Sequence, residues 1–182
     1  MRYLTTLTIL VTMIILAGCN GLIEQESKTS FVVQEWDGPK PWTGKPIVNE
    51  PDNFQFVIIS DLHGGNRPGI FEKAVEKINL MNPEFVLCVG DLIEGSTDEH
   101  VVDEQWKAFE KLIVPLGMRF FFVPGNHDLS NNMMTEKWED RFGRSYYHFV
   151  YRNVLFLCLN SEDPPSHRMS DAQVEYVAKA LD

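Results

Sequence analysis

The sequence predicts an α/β protein built around a parallel sheet. Three short apolar runs, at residues 56–59, 85–89 and 120–123, each have the length of a fully buried strand. Segments in which apolar residues recur at helical spacing lie between and after these runs. The chain has 182 residues, of which 44% are hydrophobic, and this is enough for one core and not obviously for two domains.

The amino-terminal residues have the pattern of an export signal. Arg2 is the only charge before Cys19, residues 4–16 are apolar apart from threonines, and residues 16–19 (Leu-Ala-Gly-Cys) resemble a bacterial lipoprotein processing site. We therefore predict a signal peptide at residues 1–18, lipidation of Cys19, and an extracytoplasmic lipoprotein on the periplasmic or outer-membrane side. An uncleaved membrane anchor is the alternative, although the apolar stretch is short for a span.

Residues 19–53 are predicted to form a lipidated, proline-rich tether. Four prolines between residues 39 and 51 favour an extended segment with little regular structure. Trp36 and Trp42 are unusual for a free linker, and we expect them to pack on the outer surface of the domain. Residues 31–33 are a candidate for a short edge strand.

Helical patterns follow each of the three apolar runs. Residues 70–78 carry apolar side chains on one face, and the Asn-Pro pair at residues 82–83 stops this helix. Residues 96–99 (Ser-Thr-Asp-Glu) have the spacing of a capping box for a second helix, which Pro115 ends. A short third helix is expected around residues 135–142.

The carboxyl-terminal part of the chain is predicted to contain two strands and a helix. Residues 146–151 and 154–159 form the strands, joined by a tight turn at residues 152–153. Ser170 is predicted to cap the last helix, which carries an apolar stripe at residues 174, 177, 178 and 181.

A polar motif follows each apolar run at once. The motifs are Asp61-x-His63, Gly90-Asp91 and Gly125-Asn126-His127-Asp128. Ligands of open α/β sheets bind outside the carboxyl ends of the strands, so these side chains are expected to converge. Carboxylates, imidazoles and a carboxamide, without a thiolate, suit two divalent cations such as manganese, iron or zinc. We therefore expect phosphate-ester chemistry.

In residue type, order and strand context, these three motifs resemble those of the calcineurin-like metallophosphoesterase superfamily. The resemblance covers roughly residues 53–182 and implies the α/β/β/α sandwich of that family, with the domain at residues 54–182. The family pattern continues with further ligand histidines, and no histidine follows His167. The carboxyl-terminal part of the second sheet is therefore expected to be missing, and the chain is expected to be part of a longer protein or the product of a truncated gene.

The resemblance also implies a role for each motif residue. Asp61 and His63 would hold the first metal, Asp91 would bridge both metals, and Asn126 would hold the second through its side-chain oxygen. A metal-bound hydroxide would be the nucleophile. Without the further histidines of the family pattern, the first site has three ligands and the second has two.

Three further residues are assigned to substrate and catalysis. His127 would be the general acid or transition-state stabiliser at the leaving oxygen, because its ordinary pKa allows proton donation near neutrality. Asp128 is expected to orient the loop or the imidazole rather than bind metal. Arg67 is a candidate contact for a substrate phosphate, although a solvated loop arginine is the plainer interpretation.

We therefore predict a lipid-anchored hydrolase of phosphate mono- or diesters acting on small phosphorylated substrates. A net charge of −10 argues against binding to nucleic acid. The absence of an arginine in residues 90–95 distinguishes the chain from protein serine/threonine phosphatases and disfavours that activity. The alternatives are a catalytically silent binding or structural lipoprotein, and a tethered module for envelope polysaccharide or a partner protein. Cys88 and Cys158 are expected to be core thiols rather than a disulfide.

Overall fold

The computed structural model describes residues 31–47, 53–62, 67–163 and 168–182. Within these ranges the elements are β1 (Phe31–Val33), β2 (Phe56–Ile59), α1 (Ile70–Met81), β3 (Phe85–Cys88), α2 (Glu99–Ile113), β4 (Arg119–Phe121), α3 (Asn132–Phe142), β5 (Tyr147–Tyr151), β6 (Val154–Cys158) and α4 (Asp171–Leu181). The predicted signal peptide, the lipidation site Cys19 and the predicted ligand His63 lie outside the described residues.

The strands form two three-stranded sheets. Strands β2, β3 and β4 are adjacent and parallel, as the three apolar runs predicted. Strands β1, β5 and β6 form an antiparallel sheet, with β1 as the expected edge strand. The predicted turn between β5 and β6 is confirmed: Arg152 and Asn153 have φ values of 49° and 62°, and tight hairpins favour positive φ at both central positions.

The two sheets face each other through aromatic side chains. Phe121 on β4 stacks on Phe149 on β5 with ring centroids 4.3 Å apart. The preceding residue, Phe120, lies on the other face of β4, 5.9 Å from Phe109 on α2. On the second sheet, Tyr176 of α4 shares a 2.7 Å hydrogen bond with the His148 ring. The predicted α/β/β/α arrangement is therefore confirmed.

Residues 31–47 are packed on the sandwich. The Trp42 ring lies 5.9 Å from Phe121 and 5.7 Å from Tyr147, so it packs on the domain as expected, but between the two sheets rather than on the outer surface. Thr43 N donates to Phe120 O at 2.9 Å, and Lys45 Nζ donates to Val114 O at 2.7 Å at the end of α2. This part of the predicted tether is therefore folded against the domain.

The helix starts differ in detail from the prediction. Asp98, rather than Ser96, caps α2, and its carboxylate accepts hydrogen bonds from His100 N at 2.9 Å and Val101 N at 3.4 Å. The capping box at residues 96–99 was therefore placed two residues too early. Helix α3 begins before residue 135 because Asn131 caps it by accepting from Met134 N at 3.1 Å.

Helix α4 packs less deeply than its sequence pattern indicated. Ser170 caps it as predicted, but Val174 and Leu181 are 54% and 64% exposed. Its buried residue is Gln173, whose side chain accepts from Asn160 N at 2.7 Å and donates to Asn160 O at 2.8 Å. The predicted apolar stripe is therefore exposed at residues 174, 178 and 181 and half-buried at residue 177.

The two described cysteines are buried free thiols, in line with the expectation for core residues. Burial raises the pKa of Cys88 and of Cys158 to about 12. Among the residues that the structure describes, no helix is long and apolar enough to cross a membrane.

Candidate metal centre

The loops after β2 and β3 lie side by side at the carboxyl ends of their strands. Asp61 N donates to Gly90 O at 3.2 Å, and Leu62 N donates to Asp91 O at 2.9 Å. These bonds extend the parallel pairing beyond the last ladder pair of Ile59 and Cys88. Asp61 and Asp91 therefore occupy neighbouring strand ends.

Both aspartates have a backbone conformation that non-glycine residues rarely adopt. The φ of Asp61 is 54° and that of Asp91 is 59°. Such positive φ values persist where the surroundings hold them, and they concentrate at functional sites. The Ser60 hydroxyl also donates a hydrogen bond to the Asp61 carboxylate.

Two glycines let the loops after β3 and β4 touch. A Cβ on Gly90, whose φ is +100°, would lie 2.5 Å from both Cα and N of Gly125. A Cβ on Gly125 would lie 2.3 Å from Asp91 Oδ1. Neither position has room for a side chain, so glycine is required for the contact that brings Asn126 and His127 beside Asp91.

The His127 backbone and ring are both held by the loop after β3. His127 N donates to Asp91 Oδ1 at 2.9 Å, and Nδ1 lies 2.9 Å from the Glu94 carbonyl oxygen. Because a carbonyl oxygen only accepts, Nδ1 carries the proton of this bond, and Nε2 is the basic nitrogen of the neutral ring. The bond to Glu94 O, together with the charges of Asp91, Glu94 and Asp128, raises the pKa of His127.

Asp128 is completely buried and fastens the two loops together. Its carboxylate accepts hydrogen bonds from the backbone of Asp91 at 2.8 Å, Leu92 at 3.0 Å, Ile93 at 3.2 Å and Gly125 at 2.9 Å. Burial raises the pKa of Asp128 to about 6, against the lowering effect of these N–H donors. All of these contacts are with backbone, so the carboxylate orients loops.

The carboxylate and amide oxygens of the described motif residues are suitable ligands for divalent cations. Asp61 and Asn126 are exposed and Asp91 is half-buried, so all three residues are accessible in the loops that follow the strands. In the described ranges, no three His, Cys, Asp or Glu side chains form a group able to hold a metal. His63, the nitrogen donor predicted for the first metal, is outside those ranges. Arg67 is exposed just before α1.

The contact between His127 and Glu94 is a feature that the sequence did not indicate. The partner of the ring is a backbone carbonyl, and every residue carries one, so no residue type marks this contact. Gly95, the next residue, gives a weak signal, since a Cβ there would lie 2.8 Å from His127 O.

Comparison with known proteins places this geometry in a family. The family model for calcineurin-like phosphoesterases matches residues 54–172. The chain therefore belongs to the calcineurin-like phosphoesterase family, as the three motifs indicated.

The curated relatives come from animals and bacteria. The serine/threonine-protein phosphatase CPPED1 of Rattus norvegicus is 35% identical over 141 residues, covering 68% of this chain and 45% of the relative. The Mus musculus protein of the same name is 36% identical over 106 residues, covering 54% and 34%. The 3',5'-cyclic adenosine monophosphate phosphodiesterase CpdA of Haemophilus influenzae is 32% identical over 108 residues, covering 58% and 36%.

The chain thus spans between a third and a half of the length of these relatives. No solved structure matches it.

Proposed function

We propose that this protein hydrolyses phosphate mono- or diesters at a two-metal centre formed at the carboxyl ends of β2, β3 and β4. The observation that carries the proposal is the position of Asp91. Its backbone carbonyl bonds the Asp61 loop, and its carboxylate bonds the backbone of the Asn126-His127 loop. Asp91 therefore contacts both neighbouring loops and, unlike Gly90 beside it, carries a carboxylate.

This central position suits Asp91 to a bridging role. Asp61 and His63 would hold one cation and Asn126 the other, with Asp91 shared between them. When bound, two divalent cations such as manganese, iron or zinc activate water and neutralise charge on the phosphoryl group. The carboxylate of Asp91 offsets the repulsion between two cations held close together.

His127 is the proton donor of the proposed site. With Nδ1–H bonded to Glu94 O, the ring presents Nε2, which in the imidazolium form delivers a proton to the leaving oxygen. A pKa raised above the ordinary histidine value keeps more of the ring protonated near neutrality. Asp128 acts indirectly, by holding the β3 and β4 loops in register.

The relatives support phosphate esters as the substrate class and do not decide between monoesters and diesters. Proteins named as a protein phosphatase and as a cyclic-nucleotide phosphodiesterase are both similar to this chain. Because one of these relatives is named as a serine/threonine-protein phosphatase, the missing arginine in residues 90–95 is weaker evidence against that activity. We therefore propose small phosphorylated substrates and retain both monoesters and diesters.

We also propose that the protein is exported and anchored through a lipid on Cys19, as the processing site at residues 16–19 indicates. Changing Cys19→Ser removes the sulfur that would carry the lipid. Metabolic labelling with a radioactive fatty acid should then give no labelled protein, whereas equal labelling of the variant and the unmodified protein would contradict the anchor.

Hydrolysis of aryl phosphate mono- and diesters tests the proposed reaction. With all of its metal ligands present, the protein should require Mn²⁺, Fe²⁺ or Zn²⁺ and lose activity to a chelator. His127→Ala should lower turnover by about 10²- to 10⁴-fold for poor leaving groups, because these need protonation as they depart. The loss should shrink for activated aryl leaving groups.

A matched control is His100→Ala, a histidine in the exposed first turn of α2. It should leave turnover unchanged for every leaving group. Absence of metal-dependent hydrolysis of both ester classes, or an equal loss for good and poor leaving groups in His127→Ala, would contradict the proposal.

A further inference from the structure

The loop between β3 and α2 is held in place from α2. Gln105, a half-buried residue of that helix, accepts a hydrogen bond from Gly95 N through Oε1 at 2.9 Å. Its Nε2 also approaches Gly95 O at 3.5 Å. One side chain therefore contacts both polar backbone groups of the residue that follows Glu94.

The same loop is in direct contact with the His127 segment. Gly95 has a φ of +81°, and a Cβ there would lie 2.8 Å from His127 O, so the two backbones meet closely. On the far side, Asn131 Nδ2 donates to Ser96 O at 3.0 Å. The Glu94 carbonyl is thus carried by a segment that is fixed immediately after it, at Gly95 and Ser96.

This carbonyl decides which tautomer the His127 ring adopts. The 2.9 Å approach of Glu94 O to Nδ1 stabilises the neutral ring that carries its proton on Nδ1. A shift of the carbonyl by a fraction of an ångström would lengthen the bond and allow the other tautomer. The tautomer with a proton on Nε2 would turn the basic nitrogen, Nδ1, toward the Glu94 carbonyl oxygen and lose this hydrogen bond, so the ring would no longer be held in the orientation that presents Nε2.

We propose that Gln105 is a positioning residue for His127: through Gly95 it fixes the Glu94 carbonyl, and this carbonyl selects the Nδ1–H tautomer and the orientation of the ring. This inference rests on the proposed function in one respect only, that Nε2 delivers the proton to the leaving oxygen. The hydrogen bonds of Gln105 go to the backbone of Gly95, so its effect on the ring passes through backbone atoms.

The lengths of the two Gln105 contacts predict how variants behave. The 2.9 Å bond from Gly95 N is the strong one, and the 3.5 Å approach to Gly95 O is weak. Gln105→Glu keeps an acceptor for Gly95 N and loses only the weak contact. Gln105→Met has a similar shape and loses both contacts.

The tautomer is read directly by NMR of the histidine ring nitrogens, without use of activity. Spectra are recorded on the ¹⁵N-labelled protein at a pH high enough to make the rings neutral, with the His127 signals identified by their loss in His127→Ala. The unmodified protein and Gln105→Glu should show the Nδ1–H tautomer of His127. Gln105→Met should show a mixture of both tautomers.

Activity provides the second readout. In Gln105→Met, kcat for an ester with a poor leaving group should fall about 10-fold while KM changes little, because substrate binding is untouched and the acid is misplaced. Gln105→Glu should recover most of the loss. Glu104→Ala, an exposed neighbour on α2 that pairs with Lys107, should match the unmodified protein in both measurements.

The outcomes separate this inference from the proposed function. An unmodified tautomer ratio in a folded Gln105→Met protein would overturn the positioning role, even if His127→Ala remains inactive. A tautomer shift in a protein without phosphoesterase activity would support the positioning role and contradict the proposed reaction. A thermal melt of each variant confirms that it is folded.

Discussion

Gly125 and Asp128 shape the candidate centre without offering it a ligand. The missing side chain of Gly125 makes room for Asp91 Oδ1, and the buried Asp128 carboxylate gathers backbone N–H groups from both loops. In the motif Gly125-Asn126-His127-Asp128, the first and last residues therefore have structural roles. The two between them are the candidates for metal binding and proton transfer. A buried carboxylate with several backbone donors is expensive to replace, since each orphaned donor costs free energy.

Gly90→Ala tests the contact between the two loops. The added Cβ would overlap the Gly125 backbone and hold an alanine at a φ of +100°, so we expect the free energy of unfolding to fall by about 2 kcal/mol or more. Urea denaturation followed by circular dichroism measures this. Gly44→Ala is the control, because a Cβ at Gly44 has no atom within 4 Å and should change stability little.

Equal stabilities for these two alanine variants would contradict the close approach of the β3 and β4 loops.

At the scale of residues, the sequence predicted the polar side chains of the site because motif spacing reports on side chains. It did not name Glu94 O or Gly95 N, because backbone groups become specific only when the chain folds.

At the scale of elements, strands were easier to predict than helix starts. Apolar runs such as residues 85–89 have few alternatives in a core, and β3 is indeed buried along its whole length. The capping box at residues 96–99 predicted Ser96 as the cap of α2, whereas the structure uses Asp98, a residue type that caps helices equally well. The chain uses both: Asp98 caps the helix, and Ser96 Oγ accepts from Asp98 N at 3.0 Å.

Helix α4 shows a different limit of sequence patterns. Its apolar stripe is largely exposed, and polar side chains attach the helix to the body: Gln173 pairs with the Asn160 backbone, and Tyr176 hydrogen-bonds to the His148 ring. A periodic pattern indicates which face is apolar and does not indicate whether another element covers that face.

Trp42→Ala tests whether residues 31–47 belong to the folded body. The ring packs between the sheets against Phe31, Phe121 and Tyr147, so we expect the free energy of unfolding to fall by about 2 to 3 kcal/mol, less than for a fully buried tryptophan. Chemical denaturation of the variant and the parent protein gives the difference.

Trp36→Ala is the matched control for this substitution. Trp36 lies further out, where Lys40 and Arg144 contact its ring at 4.3 Å and 4.6 Å from the centroid. Contacts of this kind at partly exposed sites contribute about 1 kcal/mol or less, so the loss should be smaller. A Trp42→Ala protein as stable as its parent would show that the segment is a loose tether after all.

For the molecule as a whole, charge and site chemistry are linked. A protein with a net charge of −10 repels anionic phosphate esters, and the loops at the strand ends add the carboxylates of Asp61 and Asp91. Bound divalent cations would reverse the sign of the local field and attract the substrate. The proposed function therefore depends on metal binding before it depends on any catalytic residue.

Equilibrium titration of the protein with Mn²⁺ tests this dependence most directly. Asp91→Asn removes the shared carboxylate charge, so it should weaken Mn²⁺ binding by about 10-fold or more and lower the number of ions bound. Asp140→Asn, at an exposed carboxylate on α3, makes the same change in net charge and should bind Mn²⁺ as the unmodified protein does. Identical Mn²⁺ affinity and stoichiometry in Asp91→Asn and Asp140→Asn would contradict a metal centre at the ends of β2, β3 and β4.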